Sequence, residues 1–279
     1  MPGRLLVVGT PIGNLGDLSP RGAEALTGAD LVVAEDTRVA ARLLRHLGVR
    51  RPTLSFTEHN SAERLPGLLA RLAAGETLAL TTDAGMPAIS DPGAELVAAA
   101  RDAGHAVEVV PGPSAVTAAL AIAGVSGSGF VFGGFLPARP ASVRREALQR
   151  LLAAAGSLGL PLVLYEAPHR VQALLRELDR LSGSQPDIQV AAARELTKLH
   201  EEVVVGGPAD VAARLPQPRG EFTVVVSGIA PPPDGQALDV SALVAVARDA
   251  GLSTRSISDL LRAAGVPRRE AYRSASGGS

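Results

Sequence analysis

The chain has 279 residues, of which 46% are hydrophobic and 20% are charged, and its formal net charge is −1. This composition is typical of a folded globular protein, and it excludes a disordered chain or one that coats nucleic acid through bulk positive charge. The absence of cysteine excludes disulfides, thiolate catalysis and cysteine-bound metals. No apolar run reaches the ~18 residues of a membrane span, so we expect a cytoplasmic protein that has no membrane partner.

The first 110 residues alternate between short apolar strands and amphipathic helices. The pattern predicts strands at 4–9, 31–35, 53–56, 77–80 and 106–110. Helices are predicted from Ser19–Pro20 to 26, at 37–48, at 61–74 and from Asp91–Pro92 onward. Five strands separated by helices predict a doubly wound parallel sheet, in which ligands bind at the carboxyl ends of the strands.

The second half of the chain places its strands closer together along the sequence. Strands are predicted at 130–135, 161–167, 188–196, 201–207 and 221–228, with helices at 141–155 and 169–181. This spacing predicts a second α/β domain with a mixed sheet. A stiff Pro-rich linker is expected at 230–239. The tail beyond it has six arginines and four acidic residues between Leu238 and Ser279, in a pattern that fits either a small helix-turn-helix unit or a plain packing appendage.

These patterns predict an α/β fold with two α/β domains and a small helical C-terminal appendage. The first domain would cover residues 1–123 and contain the parallel sheet. The second would cover 124–229 and contain the mixed sheet, after a flexible glycine-rich boundary. The helical tail would cover 238–279.

The polar loops that follow the first two strands could carry chemistry or only structure. The segment "VGTPIGNLGDLSP" (8–20) is neither a dinucleotide fingerprint nor a P-loop. It therefore predicts either a structural turn or the rim of a pocket for a ligand without phosphate groups. In "AEDTR" (34–38), the charged side chains either serve a reaction or form a salt-bridged helix cap.

Two further loops follow the third and fourth strands. "TEHN" (57–60) presents several polar side chains, but no second histidine stands at a metal-binding spacing, so no metal site is predicted. "TDAGMPAISDPG" (82–93) cannot extend a strand because it is broken by glycine and proline. A rigid loop at the end of a buried strand is the kind that shapes a pocket.

Strand ends in the second half are rich in basic side chains. "YEAPHR" (165–170) and "ARELTKLHEE" (193–202) contain several Arg, Lys and His residues, which suit a phosphate-bearing acceptor or simply form solvated helix ends. Of the 27 lysine and arginine residues, only Lys198 is a lysine, and Asn14 and Asn60 are the only asparagines. Such rare residues are weak candidates for positions that need that particular side chain.

Taken in order, seven motifs resemble one family. They are "TPIGNLGDLSPR", "AEDTR", "DAGMPAISDPG", "PGPSA", "YEAPHR", "ARELTK" and "GEFTVVV". Together they resemble the tetrapyrrole methylase superfamily, in its ribosomal small-subunit RNA 2′-O-methyltransferase I branch. The resemblance implies two α/β domains with S-adenosylmethionine bound in the cleft between them, a homodimer, and a cytidine ribose of small-subunit ribosomal RNA, or of the assembled small subunit, as acceptor.

The resemblance also implies a set of cofactor-binding residues. The Gly-Asp-Pro loop of the superfamily corresponds to Gly85-Met86-Pro87, where Met86 replaces the aspartate. A backbone contact can survive that replacement, but a side-chain contact cannot. The full set implied is Thr10, Pro11, Gly85, Met86, Pro87, Ile89, Ser114, Ala115, Glu166, Leu196 and Glu221.

The expected reaction is in-line attack of a ribose 2′-hydroxyl on the sulfonium methyl group, so alignment and removal of one proton are the tasks of the protein. The predicted catalytic residues are Lys198, Asp36, Glu35 and His59, any of which could accept that proton. The predicted RNA-binding residues are Arg38, Asn60, His169, Arg170 and Arg194.

Three alternatives stay open at this point. A methyltransferase of the same fold could act on a tetrapyrrole or another small acceptor. A nicotinamide oxidoreductase would share the sheet, but the chain lacks the glycine fingerprint. The chain could also bind nucleic acid through its tail without catalysing a reaction.

Overall fold

A computed structural model describes residues 3–125, 127–182, 187–231 and 240–276. The described residues divide into two units, of which the first contains those up to Ala119 together with Glu195–Glu202, and the second contains the others. The predicted domain limits at 123/124 and near 238 stay predictions. Residues 232–239 of the predicted linker lie outside the described residues.

The first sheet is parallel throughout, as predicted. Its strands are β1 (Arg4–Val8), β2 (Leu31–Ala34), β3 (Thr53–Ser55), β4 (Thr77–Thr81) and β5 (Ala106–Val110), in the order β3-β2-β4-β1-β5. The helices that follow the strands are α1 (Pro20–Gly28), α2 (Thr37–His46), α3 (Ser61–Ala73), α4 (Ala94–Asp102) and α5 (Ala115–Ala123).

Helices cover both faces of this sheet because neighbouring residues of a strand point to opposite sides. Leu6 and Val32 belong to the apolar cluster that includes α1 and α2 side chains. Leu5 and Val33 belong to the cluster that includes α3 and α4 side chains. The central strands β2 and β4 are therefore mostly apolar, whereas the edge strand β5 carries the exposed Glu108.

Local signals explain where most of these helices begin. Ser19 caps α1 by accepting a hydrogen bond from the Gly22 amide, and Pro20 is the first helical residue. The predicted start of α4 at Asp91–Pro92 is wrong, since the helix begins at Ala94. The preceding Gly93 has φ 126°, which is incompatible with a helix, so residues 82–93 form a loop.

The second sheet is mixed, as predicted. Its strands are β6 (Val131–Phe135), β7 (Leu162–Glu166), β8 (Gln189–Arg194), β9 (Glu202–Gly206) and β10 (Phe222–Ser227), in the order β6-β7-β10-β8-β9. Strands β6 and β7 are parallel, and β10 is antiparallel to both β7 and β8. Its helices are α6 (Ala141–Leu158), α7 (Pro168–Ser182) and α8 (Pro208–Arg214), the last of which the sequence pattern did not predict.

Two further apolar cores complete the described fold. One packs β7, β8 and β10 against α6, α7 and α8. The other belongs to the tail, where α9 (Val240–Asp249), α10 (Thr254–Ala263) and α11 (Arg268–Ser276) bury Val244, Ile257, Leu261 and Ala271. None of the helices within the described ranges combines the length and the apolar character needed to span a membrane.

Candidate functional site

Backbone strain is concentrated in two loops of the first unit. Among the described residues, four non-glycine residues have positive φ: Ala88 (65°) and Ser90 (62°) in the loop 82–93, and Glu195 (50°) and Thr197 (67°) in the segment 195–202. Such conformations cost of order 1–3 kcal/mol each and persist where the surrounding structure holds them, commonly at ligand sites. The loop 82–93 is therefore shaped before any ligand arrives.

Both strained loops pack against the loop that follows β1. Thr10 exchanges backbone hydrogen bonds with Gly85, at 2.8 Å from the Thr10 amide and 3.1 Å from the Gly85 amide. On its other side, Asn14 donates its amide to Thr197 Oγ1 at 3.0 Å. A Cβ on Gly13 would lie 2.5 Å from Lys198 Cγ, so glycine is needed for this close approach.

The loop after β5 joins the same group through direct backbone packing. A Cβ on Gly9 would lie 2.6 Å from Gly112 Cα and equally close to Met86 Sδ. A Cβ on Gly112 would lie 2.7–2.8 Å from three backbone atoms of Gly9. These two glycines therefore bring the β1 and β5 loops together beside Met86, at the carboxyl edge of the sheet.

Nine of the eleven predicted cofactor residues lie in these four segments of the first unit. Thr10, Pro11, Pro87 and Leu196 are buried, whereas Ile89 is 48% exposed. The structure brings this part of the set together around the β1 loop: Thr10, Pro11, Gly85, Met86, Pro87, Ile89, Ser114, Ala115 and Leu196.

Three carboxyl groups beside this loop, those of Glu35, Asp83 and Asp91, form no salt bridge within the described ranges. The Thr82 hydroxyl lies 2.7 Å from Asp91 Oδ2 and 3.1 Å from Glu35 Oε2. Because a hydroxyl has a single proton, it satisfies both contacts only when one carboxyl group carries a proton. Burial, with Asp91 as the next cause, raises the pKa of Glu35. Burial is also the first cause that raises the pKa of Asp83 and that of Asp91.

Asp36 has the opposite environment although it adjoins Glu35. It caps α2 by accepting from the Arg38 amide at 2.8 Å, and its side chain accepts from Arg38 Nη2 at 2.6 Å. These hydrogen bonds from Arg38 lower the pKa of Asp36 to about 2. The salt-bridged cap, one of the two interpretations of "AEDTR", is therefore present, and it involves both Asp36 and Arg38.

The other predicted polar residues of this unit have mixed roles. Asn60 accepts from the Thr57 amide at 2.8 Å and donates to Ser55 O, so it closes its own turn. His59 is exposed in that turn. Lys198 Nζ pairs with Glu195 Oε1 at 2.9 Å, inside the strained segment. In the described part of the chain, no three potential ligand side chains are grouped so that they could hold a metal ion.

In the second unit, Glu166 is fully buried and is contacted by two arginines. Its carboxylate accepts from Arg144 and lies 2.7 Å from Arg170 Nε. The side chains of Arg144 and Arg170 are 15% and 19% exposed. Glu166 was predicted to bind the cofactor and Arg170 to bind RNA, but both side chains are engaged with each other.

The remaining predicted residues of this unit lie around the same end of the sheet. Phe222 is paired with Glu166 on one side and with Arg194 on the other, so the three side chains share one face of the sheet. Arg194 is half-buried, whereas His169 and Glu221 are exposed.

Comparison with known proteins identifies the family of this chain. The family model of tetrapyrrole (corrin/porphyrin) methylases matches residues 4–212. The chain belongs to the tetrapyrrole methylase family. Curated relatives are named ribosomal RNA small subunit methyltransferase I: that of Xylella fastidiosa is 45% identical over 82% of this chain and 83% of its own length. That of Thermotoga maritima is 42% identical over 81% and 99%, respectively.

Solved structures of two other proteins share the fold. Diphthine synthase matches with a TM-score of 0.61 at 15% identity, over 81% of this chain and 90% of that structure. Uroporphyrin-III C-methyltransferase from Thermus thermophilus, complexed with S-adenosylhomocysteine, matches with a TM-score of 0.57 at 21% identity, over 81% and 98%. At these identities the likeness shows the fold alone, and it confirms the predicted α/β architecture.

Sequence reasoning on this tetrapyrrole methylase missed four residues that the structure places in charged clusters. Thr82, Asp83 and Asp91 stand within the "TDAGMPAISDPG" loop, and their polarity after a buried strand was the available signal. Arg144 lies in α6, twenty-two residues before Glu166. No local pattern identifies it, because its contact with Glu166 depends on the packing of α6 against β7.

Proposed function

We propose that this tetrapyrrole methylase transfers the methyl group of S-adenosylmethionine to the 2′-hydroxyl of a cytidine ribose in small-subunit ribosomal RNA. The single observation that carries the proposal is the 40–45% identity to relatives named ribosomal RNA small subunit methyltransferase I. These relatives support methylation of ribosomal RNA. The choice of a cytidine 2′-oxygen rests on the resemblance of the "EDTR" and "DAGMPAISDPG" motifs to that branch.

The first unit fits a cofactor of this chemical type. S-adenosylmethionine has a sulfonium, an ammonium and a carboxylate, so it brings one net positive charge. Glu35, Asp83 and Asp91 have raised pKa values because burial disfavours their charged forms, and neighbouring carboxylates add to this effect. A net positive ligand nearby would lower those pKa values and be attracted in turn. The glycine- and proline-rich loops also offer main-chain groups in place of a phosphate cradle.

The residues that would hold the cofactor are those of the β1, β4 and β5 loops. Thr10 and Gly85 fix the first two loops to each other, and Gly9 and Gly112 fix the third. When bound, the cofactor supplies an electrophilic methyl group. The protein supplies alignment, and prearranged loops reduce the cost of reaching the reactive geometry.

Of the four predicted proton acceptors, we propose Glu35. Its raised pKa makes it a stronger base than an ordinary carboxylate, whereas the lowered pKa makes Asp36 a weaker one. Lys198 donates to Glu195, so it would have to leave that carboxylate before it could accept a proton. We propose that Lys198 orients the acceptor instead. His59 lies in the exposed turn that Asn60 closes.

For the RNA-binding set, exposure separates two groups. Arg38 has a side chain that is 87% exposed, and His169 is exposed as well, so we propose both as phosphate contacts. Arg170 is engaged with Glu166 and Asn60 with its own turn, so we propose that they support the fold around those contacts. Arg194 is retained as a half-buried candidate.

The decisive experiment uses small ribosomal subunits from cells that lack this protein. The purified full-length chain and S-adenosylmethionine are added, and ribose methylation is mapped by mass spectrometry. We expect one new methyl group on a cytidine ribose, and a loss of turnover in Glu35→Gln that is larger than in Asp36→Asn. Methylation of a base, or transfer to uroporphyrinogen instead of RNA, would overturn the assignment. The homodimer and the cytoplasmic location stay predictions, for light scattering and cell fractionation to test.

A further inference from the structure

The tail has a basic groove that contains none of the residues of the proposed methyl transfer site. It lies between α10 and α11, encloses about 830 Å³, and includes Arg255, Asp259, Arg262, Arg268, Arg269 and Tyr272 in its lining. We call this surface the tail groove. It belongs to a helix–turn–helix pair in which a turn of residues 264–267, containing Gly265, joins two short helices.

The groove is a fixed feature because the opposite faces of both helices are buried. Ile257 and Leu261 of α10 pack with Ala271 and Ala275 of α11 in the core of the tail. The helical period then places the arginines on the outer faces. Folding of the tail therefore presents these charges together.

The charge of the groove is strongly one-sided. Four arginines face a single carboxylate, Asp259, which lies 3.4 Å from Arg262. Within the described ranges, Arg255, Arg268 and Arg269 form no ion pair. A chain with a formal net charge of −1 thus concentrates three uncompensated positive charges in one concave surface. Such a surface attracts polyanions.

An exposed aromatic ring lies among these arginines. Tyr272 is 64% exposed and follows Arg268 and Arg269 by four and three residues, so the three side chains share one face of α11. The chain has only five phenylalanines and two tyrosines. A ring flanked by guanidinium groups is a surface on which an unpaired base can stack, and such stacking identifies single-stranded nucleic acid.

We propose that the tail groove binds a single-stranded segment of small-subunit ribosomal RNA, with arginines on its phosphates and one base stacked on Tyr272. The choice of ribosomal RNA rests on the proposed function. The groove would supply affinity for the substrate, whereas the loops of the first unit would carry out the reaction.

The test measures binding of the full-length chain to a labelled single-stranded fragment of small-subunit rRNA by fluorescence anisotropy over a range of salt concentrations. The variants are Arg268→Gln/Arg269→Gln, Tyr272→Ala and Tyr272→Phe. The matched control is Arg21→Gln/Arg101→Gln, which removes two exposed arginines from α1 and α4. Melting curves and S-adenosylmethionine affinity check that each variant remains folded.

We expect the double tail variant to bind at least tenfold more weakly, and the slope of log K against log salt to fall by about 1.4, since each phosphate contact on a single strand contributes about 0.7. Tyr272→Ala should bind about tenfold more weakly with an unchanged slope, because a stacking contact is not ionic. Tyr272→Phe and the control should remain within twofold of the original chain.

Wild-type affinity in both the double variant and Tyr272→Ala would overturn the proposal. Competition by polyglutamate as effective as that by RNA of equal charge would also overturn it, since the groove would then fit an acidic protein.

Measuring methyl transfer distinguishes failure of this inference from failure of the proposed function. If RNA binding falls in the variants but the unaltered chain methylates no rRNA, the proposed function is wrong and the proposed RNA binding by the tail groove is supported. If the variants methylate rRNA with unchanged KM and bind RNA normally, the proposed RNA binding by the tail groove is wrong and the proposed function is supported.

Discussion

The two units of this tetrapyrrole methylase treat carboxylates at strand ends in opposite ways. In the first unit, Glu35, Asp83 and Asp91 lie near Thr82, and burial, followed by repulsion from neighbouring carboxylates, raises their pKa values. In the second unit, Glu166 is completely buried, yet it accepts from Arg144 and pairs with Arg170. An added cation would stabilise the first cluster, whereas the second already contains its counter-charges.

This difference suggests a ligand-binding role for the first cluster and a structural role for the second. A cluster whose charge is uncompensated in the free protein costs folding free energy that a cationic ligand can recover on binding, as at many functional sites. A buried carboxylate between two guanidinium groups contributes nothing to a ligand unless that arrangement opens. We therefore assign the proposed chemistry to the loops of the first unit, and we assign Glu166 to holding α6 and α7 at the end of β7.

The largest effect should come from removing the buried carboxylate. Glu166→Gln leaves two mostly buried guanidinium groups without their anion, which should lower the free energy of unfolding by about 3–5 kcal/mol. Glu177→Gln is a matched control, because Glu177 also pairs with two arginines, Arg145 and Arg180, whose side chains are 53% and 67% exposed. Its cost should be about 1 kcal/mol or less.

Urea denaturation of the two variants and the original chain measures this difference. Equal losses of unfolding free energy for Glu166→Gln and Glu177→Gln would mean that burial of the arginines does not matter. The structural role that we assign to Glu166 would then be wrong. A selective loss of S-adenosylmethionine affinity in a fully stable Glu166→Gln variant would instead return Glu166 to the cofactor-binding set.

An intermediate effect should come from the backbone contact that joins the β1 and β5 loops. In Gly112→Ala the new Cβ would lie 2.7–2.8 Å from Gly9 backbone atoms, so the loops must separate at a cost of about 1–3 kcal/mol. Gly67→Ala is the control, since nothing lies within 4 Å of its Cβ position in α3, and alanine should stabilise that helix by about 0.5–1 kcal/mol.

Calorimetric titration with S-adenosylmethionine shows whether this contact shapes the proposed cofactor site. Affinity should fall at least tenfold in Gly112→Ala and stay unchanged in Gly67→Ala. Full affinity in a destabilised Gly112→Ala variant would mean that the contact stabilises the fold without shaping the site.

Much of the first unit follows from local sequence, because strands and caps are local signals. The apolar run at 4–8 and the Ser19–Pro20 pair identify β1 and the start of α1 without any knowledge of neighbours. The start of α4 did not follow, although Asp91–Pro92 resembles Ser19–Pro20. There Asp91 accepts from Thr82 at the start of the loop, and Gly85 pairs with the distant Thr10, and these contacts override the local preference.

The side-chain roles were less predictable than the elements. The family resemblance places Glu166 near a cofactor, but its contact with Arg144 depends on how α6 packs, which no motif encodes. Asn14 and Asn60, singled out for their rarity, cap a short helix and close a turn. Both amides therefore form hydrogen bonds with nearby backbone groups, which is a local structural role.

The smallest effect, and the sharpest test of the first cluster, lies in its pH dependence. The raised pKa means that Glu35 binds its proton more tightly in the folded chain than in the unfolded one. Its contribution to stability is therefore greatest below its ordinary pKa of 4.5 and is lost as the pH rises through the folded value. Glu35→Gln should accordingly stabilise the chain at pH 7, by less than about 1 kcal/mol, with no gain near pH 4.

Asp36→Asn should show the opposite trend, because the pKa of Asp36 is lowered to about 2. Its stabilising hydrogen bonds are fully present above its ordinary pKa of 3.8 and are lost as the pH falls through about 2, so the variant should lose most stability at pH 7 and roughly half as much at pH 3. Urea denaturation of both variants between pH 3 and pH 7 tests the pair. Parallel profiles would mean that the two adjacent carboxylates share one environment, and Glu35 would lose the property for which we propose it as the base. Opposite profiles, with the Glu35→Gln gain abolished by saturating S-adenosylmethionine, would show that the cationic ligand supplies the charge that this cluster lacks.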